Sequence, residues 1–396
     1  MSELASRRIQ QLMGVLASVN RFFVDSPYAR LVDKPGIHDF AIGNPHELAL
    51  PEFVAALRRQ LPPQNEHWYG YPSSLPEAQA AAAQALSQRR GVTFAPEDIL
   101  LTNGAFAALA VALTVATDPG DEVIFISPPW FFYESLIAAA GGVPVRVKVQ
   151  PGSFDLDLEA IAAAITPRTS AIIINSPNNP TGVIYSPETL TALGQLLTEA
   201  GTRYGRAITL LSDEAYSRIL FDGRPYHSPT AYYPNSLLLY TYGKTLLTPG
   251  QRLGYVALPP GLPDREQLRA AVFVAQLING YAFPNALLQH ALAELEGVSI
   301  DIAHLQRKRD WMVGALREMG YELHVPQGTF YLLPRSPLAD DWAFSERLAD
   351  KQILVLPGVM VELPGYFRIS LTANDQMIEQ ALPGFAAALA EARPAW

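Results

Sequence analysis

The chain has 396 residues, enough for about two domains, and its 49% hydrophobic and 17% charged residues exclude an intrinsically disordered protein. The formal net charge of −9, without a basic run, argues against nucleic acid as a main partner. Cysteine is absent, which excludes thiolate nucleophiles and thiolate metal sites. Any covalent catalysis therefore needs another nucleophile. No metal-binding motif is assigned, so we expect no metal.

Polar and charged residues interrupt the apolar positions of residues 1–20, so we expect no signal peptide. The most apolar long stretch, Ala105 to Ala116, is about half the roughly 20 residues that a membrane-spanning helix needs. We predict a soluble, cytoplasmic protein that binds no membrane.

Short apolar runs alternate with helical patterns between residues 99 and 258, and continuous apolar runs are typical of strands covered on both faces. The predicted strands are Ile99–Thr102, Glu122–Ile126, Val143–Val147, Ser170–Asn175, Ile208–Ser212, Leu237–Tyr240 and Leu253–Leu258. The predicted helices between them are Ala105–Ala116, Phe131–Ala140, Leu158–Ile165 and Pro187–Tyr204. This alternation predicts an α/β fold with a mostly parallel central sheet between helices.

The pattern changes after Pro284, where long helices are separated by short strands. The predicted helices are Ser299–Met319 and Asp375–Ala392, and the predicted strands are Tyr321–Val325, Thr329–Leu333 and Phe367–Leu371. We predict an N-terminal arm over 1–45 that joins the small domain, a large α/β domain over 46–284, and a small α+β domain over 285–396.

Ligands of open parallel sheets bind beyond the carboxyl ends of the strands, so the residues after each predicted strand are candidates for a site. Gly104, Ala105 and Phe106 open a helix directly after a strand, where exposed N–H groups favour an anion such as phosphate. A tight strand-to-helix turn without a ligand is the alternative.

Two further strand ends carry bulky or rigid groups. Trp130 follows a strand directly and offers a flat indole for stacking on an aromatic ligand, with core packing as the alternative. The segment Asn175 to Gly182 contains two X-Pro bonds, and Asn179–Pro180 is a candidate cis bond that would direct an amide toward the sheet edge. The alternative here is an ordinary β-turn.

The last two strand ends carry charged groups. Asp213 ends an apolar strand, where a carboxylate is costly to bury unless a cation or strong donor meets it; a helix cap is the alternative. Lys244 lies eight residues before Arg252. In a desolvated site such a lysine is an amine nucleophile for Schiff-base chemistry, whereas on a surface the pair has no special role.

These segments occur in one order: a phosphate-type turn, an aromatic residue, Asn-Pro-Thr-Gly, Asp-x-x-Tyr, Lys and Gly-x-Arg-x-Gly. Together they resemble the class I/II aminotransferases, the fold type I family that uses pyridoxal 5′-phosphate (PLP). Three more segments resemble family motifs, and they extend the resemblance over roughly residues 40 to 390: Phe40–Pro45, Gly328–Tyr331 and Tyr366–Ser370.

The resemblance implies a role for each polar group near the cofactor ring. Lys244 would form a Schiff base with PLP and then move a proton between substrate and cofactor, so it is expected to be both anchor and general base. Asp213 would pair with the pyridine nitrogen. Asn179 and Tyr216 would donate hydrogen bonds to the phenolic oxygen, and Trp130 would stack on the ring.

The cofactor phosphate needs several donors, because it carries up to two negative charges. By resemblance, the backbone of Gly104, Ala105 and Phe106, the hydroxyl of Thr241 and the guanidinium of Arg252 would supply them. Family members are usually dimers in which a tyrosine of the partner reaches this phosphate. The family motif places Tyr69 at that position, with Tyr71 as the alternative, so we expect a homodimer with shared active sites.

Substrate binding is the least specific part of the resemblance. Arg368 would clamp the α-carboxylate, with Gly43, Asn179 and Trp130 around the substrate; a surface or ion-pair role for Arg368 is the alternative. No second arginine for a distal carboxylate can be placed by motif. Bulky aromatic residues at several candidate positions favour a neutral or aromatic donor, unless they are simply core: Phe22, Phe23, Trp130, Phe131, Tyr133 and Tyr331.

The expected activity is transfer of an amino group between an L-amino acid and a 2-oxo acid, in a ping-pong cycle between PLP and its amine form. Another PLP-dependent reaction on the same fold, such as β/γ-elimination or a ring closure, is the first alternative, because the motifs mostly bind the cofactor. A non-catalytic regulator that uses this fold to sense a ligand is the second.

Overall fold

The computed structural model describes residues 5–392, so the outermost residues of the predicted arm and of the predicted C-terminal domain lie outside the described range. The strands, in chain order, are β1 (His38–Asp39), β2 (Ile99–Thr102), β3 (Glu122–Ser127), β4 (Val143–Lys148), β5 (Thr169–Asn175), β6 (Thr209–Asp213), β7 (Ser236–Thr241), β8 (Gly254–Ala257), β9 (Tyr331–Leu332), β10 (Ile353–Leu354), β11 (Leu356–Pro357) and β12 (Phe367–Ser370).

The helices before the last third of the chain are α1 (Arg7–Val15), α2 (Ala17–Asp25), α3 (Pro27–Leu31), α4 (Pro51–Gln60), α5 (Pro76–Arg90), α6 (Gly104–Ala116), α7 (Tyr133–Ala139), α8 (Leu158–Ala164), α9 (Pro187–Tyr204), α10 (Tyr242–Thr245) and α11 (Arg265–Ile278). Those that follow are α12 (Ala286–His290), α13 (Leu292–Leu295), α14 (Ile302–Met319), α15 (Asp341–Asp350) and α16 (Asp375–Ala392). Short 3₁₀ turns are Pro96–Asp98, Pro229–Ala231 and Gly358–Val361.

A seven-stranded sheet with the order β2-β8-β7-β6-β5-β3-β4 forms the centre of the fold. Its neighbours pair in parallel except around β8, which is antiparallel to both β2 and β7. The prediction of a mostly parallel sheet between helices is therefore confirmed. The seven strands also lie where the apolar runs predicted them, to within one residue at each end.

Alternation along the strands builds a core on each face of the sheet. In β3, Val123 and Phe125 pack with α6, α7 and α11, whereas Ile124 and Ile126 pack with α8 and α9 on the opposite face. Because both faces are covered, the strand sequences are continuously apolar. Local signals set the ends of the helices in these layers. In α9, Ser186 caps the first turn, and Gly205 ends the helix in the left-handed conformation.

The last third of the chain packs α14, α15 and α16 around the antiparallel sheet β11-β12-β9. The predicted strand Tyr321–Val325 is wrong: it makes a single bridge, from Leu323 to Pro334, because proline offers no N–H to continue a ladder. The predicted strand Thr329–Leu333 is reduced to β9. Strand β1 pairs in parallel with β10, which attaches the segment after the N-terminal helices to this part of the fold. None of the helices described is long and apolar enough to cross a membrane.

Candidate active site

The carboxyl ends of β2, β3, β5, β6 and β7 open into a cavity of about 540 Å³. The connections of the sheet reverse direction between β3 and β5, so the cavity lies at a topological switch point, where open α/β sheets bind ligands. Most of the predicted site residues line it: Gly43, Ala105, Phe106, Trp130, Asn179, Asp213, Tyr216, Thr241, Lys244, Arg252 and Arg368. Gly104 lies just behind the wall, and Tyr69 does not line the cavity.

A helix N-terminus, a guanidinium and a hydroxyl meet at one end of the cavity. Helix α6 begins here at Gly104, and the side chain of its cap Asn103 makes no capping hydrogen bond, so the first N–H groups of the helix remain free for a ligand. Gly104 has φ +81°, and a Cβ on it would lie 2.7 Å from Nη2 of Arg252 and 3.3 Å from Oγ1 of Thr241. Only glycine therefore lets the helix end, the guanidinium and the hydroxyl converge.

Arg252 supplies the cation at this end. Its Nη1 donates to the carbonyl oxygen of Pro249 at 2.9 Å, and among the described residues it forms no ion pair. Burial lowers the pKa of the Arg252 guanidinium, which is the penalty of a desolvated cation without an anion beside it. A bound phosphate would remove that penalty.

The floor of the cavity carries a buried carboxylate, Asp213, at the last residue of β6. Its Oδ2 accepts a hydrogen bond of 2.6 Å from the hydroxyl of Tyr133, and its Oδ1 accepts one of 3.2 Å from the N–H of Ala215. Burial raises the pKa of Asp213, while the hydrogen bond from Tyr133 and the charge of Lys244 oppose the shift. The carboxylate would gain most from a cationic group in the cavity.

The loop after β5 holds Asn179 in place through its neighbour Asn175. Asn175 donates from Nδ2 to the main-chain oxygen of Asp213 at 2.9 Å and accepts from the N–H of Asn179 at 2.7 Å. The Asn179–Pro180 peptide is cis, as predicted. The strand ends of β5 and β6 are thus tied together, and the Asn179 amide stays at the cavity wall.

Lys244 lies in the short helix α10, directly after β7. Its Nζ lies 5.5 Å from the ring centroids of Tyr216 and Phe330, and no described residue accepts a hydrogen bond from it. The amine is therefore available to a ligand in the cavity. Trp130 faces the same space and is held edge-on by Phe106, with 4.9 Å between the ring centroids.

Arg368 lies in β12 and reaches the cavity from the side of the C-terminal helices, with 2% of its surface exposed. It donates from Nη1 to Oδ1 of Asn179 at 3.1 Å and from Nη2 to the carbonyl oxygen of Ala41 at 2.9 Å. Its buried Nε has no partner among the described residues. Such an unpartnered donor is costly unless a ligand acceptor meets it.

Tyr216 and Tyr331 complete the wall beside Lys244, and their hydroxyl oxygens lie 3.4 Å apart. Burial and the neighbouring Tyr331 raise the pKa of Tyr216. Although burial acts the other way, the charges of Arg368 and Lys244 lower the pKa of Tyr331. A Cβ on Gly43 would lie 2.7 Å from the Tyr331 hydroxyl, so the glycine makes room for this phenol.

Sequence reasoning missed three contributors to the site. The sequence marks Tyr133 only as a bulky residue and Asn175 only as the first residue of the turn, and it gives no sign of Tyr281. Each of the three lines the cavity or bonds to one of its polar groups. The spacing of Tyr133, three residues after Trp130 and in the first turn of α7, was an available signal. Tyr69 is exposed, and its hydroxyl donates to the carbonyl oxygen of Leu61.

Comparison with known proteins identifies the family and the fold. Residues 35–385 match the family model "Aminotransferase class I and II". The aspartate/prephenate aminotransferase of Thermus thermophilus is 32% identical over 353 residues, which cover 86% of this chain and 88% of that protein. An aminotransferase structure from Eubacterium rectale superposes with a TM-score of 0.86 at 31% identity, covering 98% of this chain and 96% of the other. The T. thermophilus aspartate aminotransferase bound to maleate gives a TM-score of 0.82 at 29% identity, covering 98% and 100%.

The chain belongs to the class I and II aminotransferase family. Its fold is that of the fold type I enzymes, and it is a PLP-dependent transferase that acts on amino and 2-oxo acids. The residues of the cavity fit this cofactor. The anion cradle at Gly104, the accessible amine of Lys244 and the buried carboxylate of Asp213 are the three kinds of group that a phosphorylated pyridine aldehyde requires.

Proposed function

We propose that this enzyme transfers the amino group of a neutral or aromatic L-amino acid to a 2-oxo acid. The observation that carries the proposal is the small number of positively charged side chains that line the cavity. Among its described lining residues the cations are Lys244, Arg252 and Arg368. If these serve the cofactor aldehyde, the cofactor phosphate and the substrate α-carboxylate, respectively, no described cation of the cavity remains for a second substrate carboxylate.

The remaining wall is apolar or aromatic, which supports the same proposal. A side chain entering beside the cofactor would meet Ile42, Phe106, Trp130, Phe131 and Tyr281. Burial of an uncharged side chain against such a wall is favourable, whereas an unpaired carboxylate there would lose its hydration without compensation.

The cofactor, once bound, supplies an aldehyde that condenses with amines and a ring that accepts electrons. We assign the other tasks to side chains. Lys244 anchors the cofactor and, when displaced, carries the proton removed from the substrate Cα. Asp213 holds a proton on the pyridine nitrogen, and Asn179 and Tyr216 donate to the phenolic oxygen. Trp130 stacks on the ring.

We assign the binding of the cofactor phosphate and of the substrate carboxylate to the two ends of the cavity. At one end the N–H groups of Gly104, Ala105 and Phe106, with Thr241 and Arg252, bind the phosphate. At the other end Arg368, held by Asn179, binds the α-carboxylate through its unpartnered Nε and a neighbouring N–H, and Gly43 lines the space beside it. These two anchors hold the substrate Cα between them, within reach of Lys244.

Donor preference is tested by single-turnover half-reactions, in which the visible absorbance of the loaded enzyme decays after one amino acid is added. We expect faster decay with phenylalanine, leucine, methionine or alanine than with aspartate or glutamate. Several relatives are named as aspartate aminotransferases, so faster decay with aspartate or glutamate is the competing outcome. Aspartate or glutamate as the best donor would refute the proposed preference while leaving the aminotransferase assignment intact.

A matched pair of variants locates the preference in the cavity wall. Phe131 lines the cavity, whereas its neighbour Phe132 packs on Trp130 without lining it. Phe131→Ala should slow the half-reaction with phenylalanine by about tenfold more than that with alanine, because it removes apolar contact made only by the larger donor. Phe132→Ala should slow both donors by similar factors. Equal ratios in the two variants would contradict the assignment of Phe131.

We also propose a homodimer with shared active sites. Helix α11 exposes Phe273, Val274, Leu277 and Ile278, an apolar face of the kind that marks a subunit interface. Tyr71 and Phe283 form a further exposed aromatic pair, with ring centroids 5.3 Å apart. Tyr69 lies outside the cavity of its own chain, which supports its proposed role at the phosphate of the partner.

Mixing of inactive subunits tests the shared site. In a hybrid of Tyr69→Phe and Lys244→Ala chains, one of the two sites would hold both Lys244 and a partner tyrosine. After random mixing in equal amounts, we expect wild-type cofactor affinity at half of the sites that contain Lys244, with Tyr71→Phe as a control that binds cofactor normally. A monomer at micromolar concentration in analytical ultracentrifugation, or no gain on mixing, would refute the shared site.

A further inference from the structure

We infer that Tyr133 is a positioning residue that acts through Asp213, holding that carboxylate in the orientation and charge state in which it meets the cofactor. The inference rests on the proposed function of Asp213. Its starting point is geometry: the Tyr133 hydroxyl donates to Oδ2 of Asp213 at 2.6 Å, and both side chains are buried. A phenol that donates to an anionic oxygen makes a stronger hydrogen bond than one between neutral groups.

The surroundings of Asp213 leave this task to Tyr133. Apart from the tyrosine, one group among residues 5–392 donates to the carboxylate: the N–H of Ala215, to Oδ1 at 3.2 Å. Asn175 donates to the main-chain oxygen of Asp213 and not to its carboxylate. Tyr133 is therefore the one side chain in the described structure that donates to the carboxylate, and it fixes the rotation about the Cβ–Cγ bond.

Tyr133 is itself held rigidly. Its N–H donates to the carbonyl oxygen of Trp130 at 3.1 Å, and its ring meets the Trp130 indole edge-on with 5.6 Å between the centroids. The ring packs in the core between the sheet and α6. One short segment, from Trp130 to Tyr133, thus carries both the group proposed to stack on the cofactor and the phenol that orients its carboxylate partner.

A purely structural role for Tyr133 is the competing explanation, and Tyr185 provides the control. Tyr185 is equally buried, yet its hydroxyl has no partner among the described residues. Tyr→Phe at either position keeps the ring and removes one oxygen atom. Only at position 133 does the change remove a hydrogen bond to Asp213.

The experiment compares Tyr133→Phe, Tyr185→Phe, Asp213→Asn and the Tyr133→Phe/Asp213→Asn double variant. The first readout is the dissociation constant of PLP for each apoenzyme, and the second is the pair of steady-state constants kcat and KM for the amino donor. We expect Tyr133→Phe to weaken PLP binding about tenfold and to lower kcat with KM nearly unchanged, because a hydrogen bond to a charged group is lost. Tyr185→Phe should match the wild type in both readouts.

The double variant decides whether Tyr133 acts through Asp213. In the Asp213→Asn background, Tyr133→Phe should change the PLP dissociation constant by less than about twofold. The same tenfold factor in both backgrounds, or wild-type affinity in Tyr133→Phe alone, would overturn the inference without touching the proposed function. Wild-type PLP affinity and kcat in Asp213→Asn would instead refute the proposed role of Asp213 and the inference together.

Thermal unfolding of the apoenzymes separates positioning from folding. Tyr133→Phe and Tyr185→Phe should unfold within a few degrees of each other, since each retains its buried ring. If Tyr133→Phe apoenzyme unfolds far below the Tyr185→Phe apoenzyme and its PLP affinity loss disappears when measured well below that midpoint, the phenol has a structural role and the inference is wrong.

Discussion

The guanidinium carbon of Arg368 lies 4.0 Å from the ring centroid of Tyr331, so the proposed substrate cation rests on an aromatic face. The stack and the hydrogen bonds to Asn179 and Ala41 hold the guanidinium from three sides. A cation held in this way is preorganised for a carboxylate, because little side-chain entropy is lost when the ligand binds.

Removal of the aromatic face should weaken substrate binding. A cation–π contact is worth about 0.5–2 kcal/mol, so Tyr331→Leu should raise KM for the amino donor by about two- to thirtyfold, with a much smaller change in kcat. Tyr331→Phe retains the ring and should keep KM close to that of the wild type. Steady-state kinetics of the two variants tests the stack, and equal KM values in both would show that it does not contribute to carboxylate binding.

The Tyr331 hydroxyl should lose its proton at a lower pH than an ordinary tyrosine does. The charges of Arg368 and Lys244 lower its pKa despite burial, whereas burial and Tyr331 raise that of Tyr216. We expect a spectrophotometric titration of the apoenzyme to show one phenol ionising below the ordinary tyrosine pKa of about 10, and Tyr331→Phe to lack this step. Persistence of the step in Tyr331→Phe would show that another phenol is responsible.

The same shift has a consequence for stability. Between the lowered pKa of folded Tyr331 and its unfolded value of about 10, the unfolded chain binds more protons, so unfolding free energy rises with pH. This contribution is fully present above the unfolded pKa and is lost as pH falls through the folded pKa. In denaturant unfolding of the apoenzyme, the difference in unfolding free energy between wild type and Tyr331→Phe should therefore change in favour of the wild type as pH rises through this window. A difference that does not depend on pH would contradict the lowered pKa of Tyr331.

The central sheet could be predicted because strands covered on both faces need continuous apolar runs, as β3 and β5 have. The direction of β8 could not be predicted, because an apolar run does not indicate whether a strand is parallel or antiparallel to its neighbours. The false strand Tyr321–Val325 alternates in polarity, yet it faces Pro334 and forms one bridge.

The site could be predicted as far as its residues follow strand ends in chain order. Asp213 and Lys244 end or follow neighbouring strands, so parallel pairing alone brings them to one sheet edge. The contact of Tyr133 with Asp213 spans 80 residues and depends on how α7 packs across the end of the sheet. The stack of Tyr331 on Arg368 depends on the register of β9 against β12, which no local pattern states.

Gly104 should be essential for cofactor binding, and Gly91 provides a matched control. Both have positive φ, but a Cβ on Gly104 would lie 2.7 Å from Nη2 of Arg252, whereas one on Gly91 would meet no atom within 4 Å. Gly91→Ala should cost about 1 kcal/mol of stability and leave PLP affinity unchanged. Gly104→Ala carries the same backbone cost and displaces the guanidinium, so PLP should bind about tenfold more weakly or worse. Equal PLP affinities in the two variants would contradict a phosphate site here.

Glu214, the residue after Asp213, forms a buried ion pair with Arg90. Arg90 donates from Nη2 to Glu214, whose other oxygen accepts a hydrogen bond from Ser212 at 3.1 Å, and neither charged side chain is more than 12% exposed. Arg90→Met would leave the Glu214 carboxylate buried without a cation, which should lower the free energy of unfolding by about 3–5 kcal/mol.

Two comparisons separate the charge effect from lost packing. Arg59 pairs with Glu294 on the surface, so Arg59→Met should leave denaturant unfolding of the apoenzyme unchanged. Adding Glu214→Gln to Arg90→Met removes the unpaired charge and should recover part of the lost stability. If the double variant is no more stable than Arg90→Met, the loss comes from packing of the arginine, whose guanidinium carbon lies 4.5 Å from the ring centroid of Tyr226.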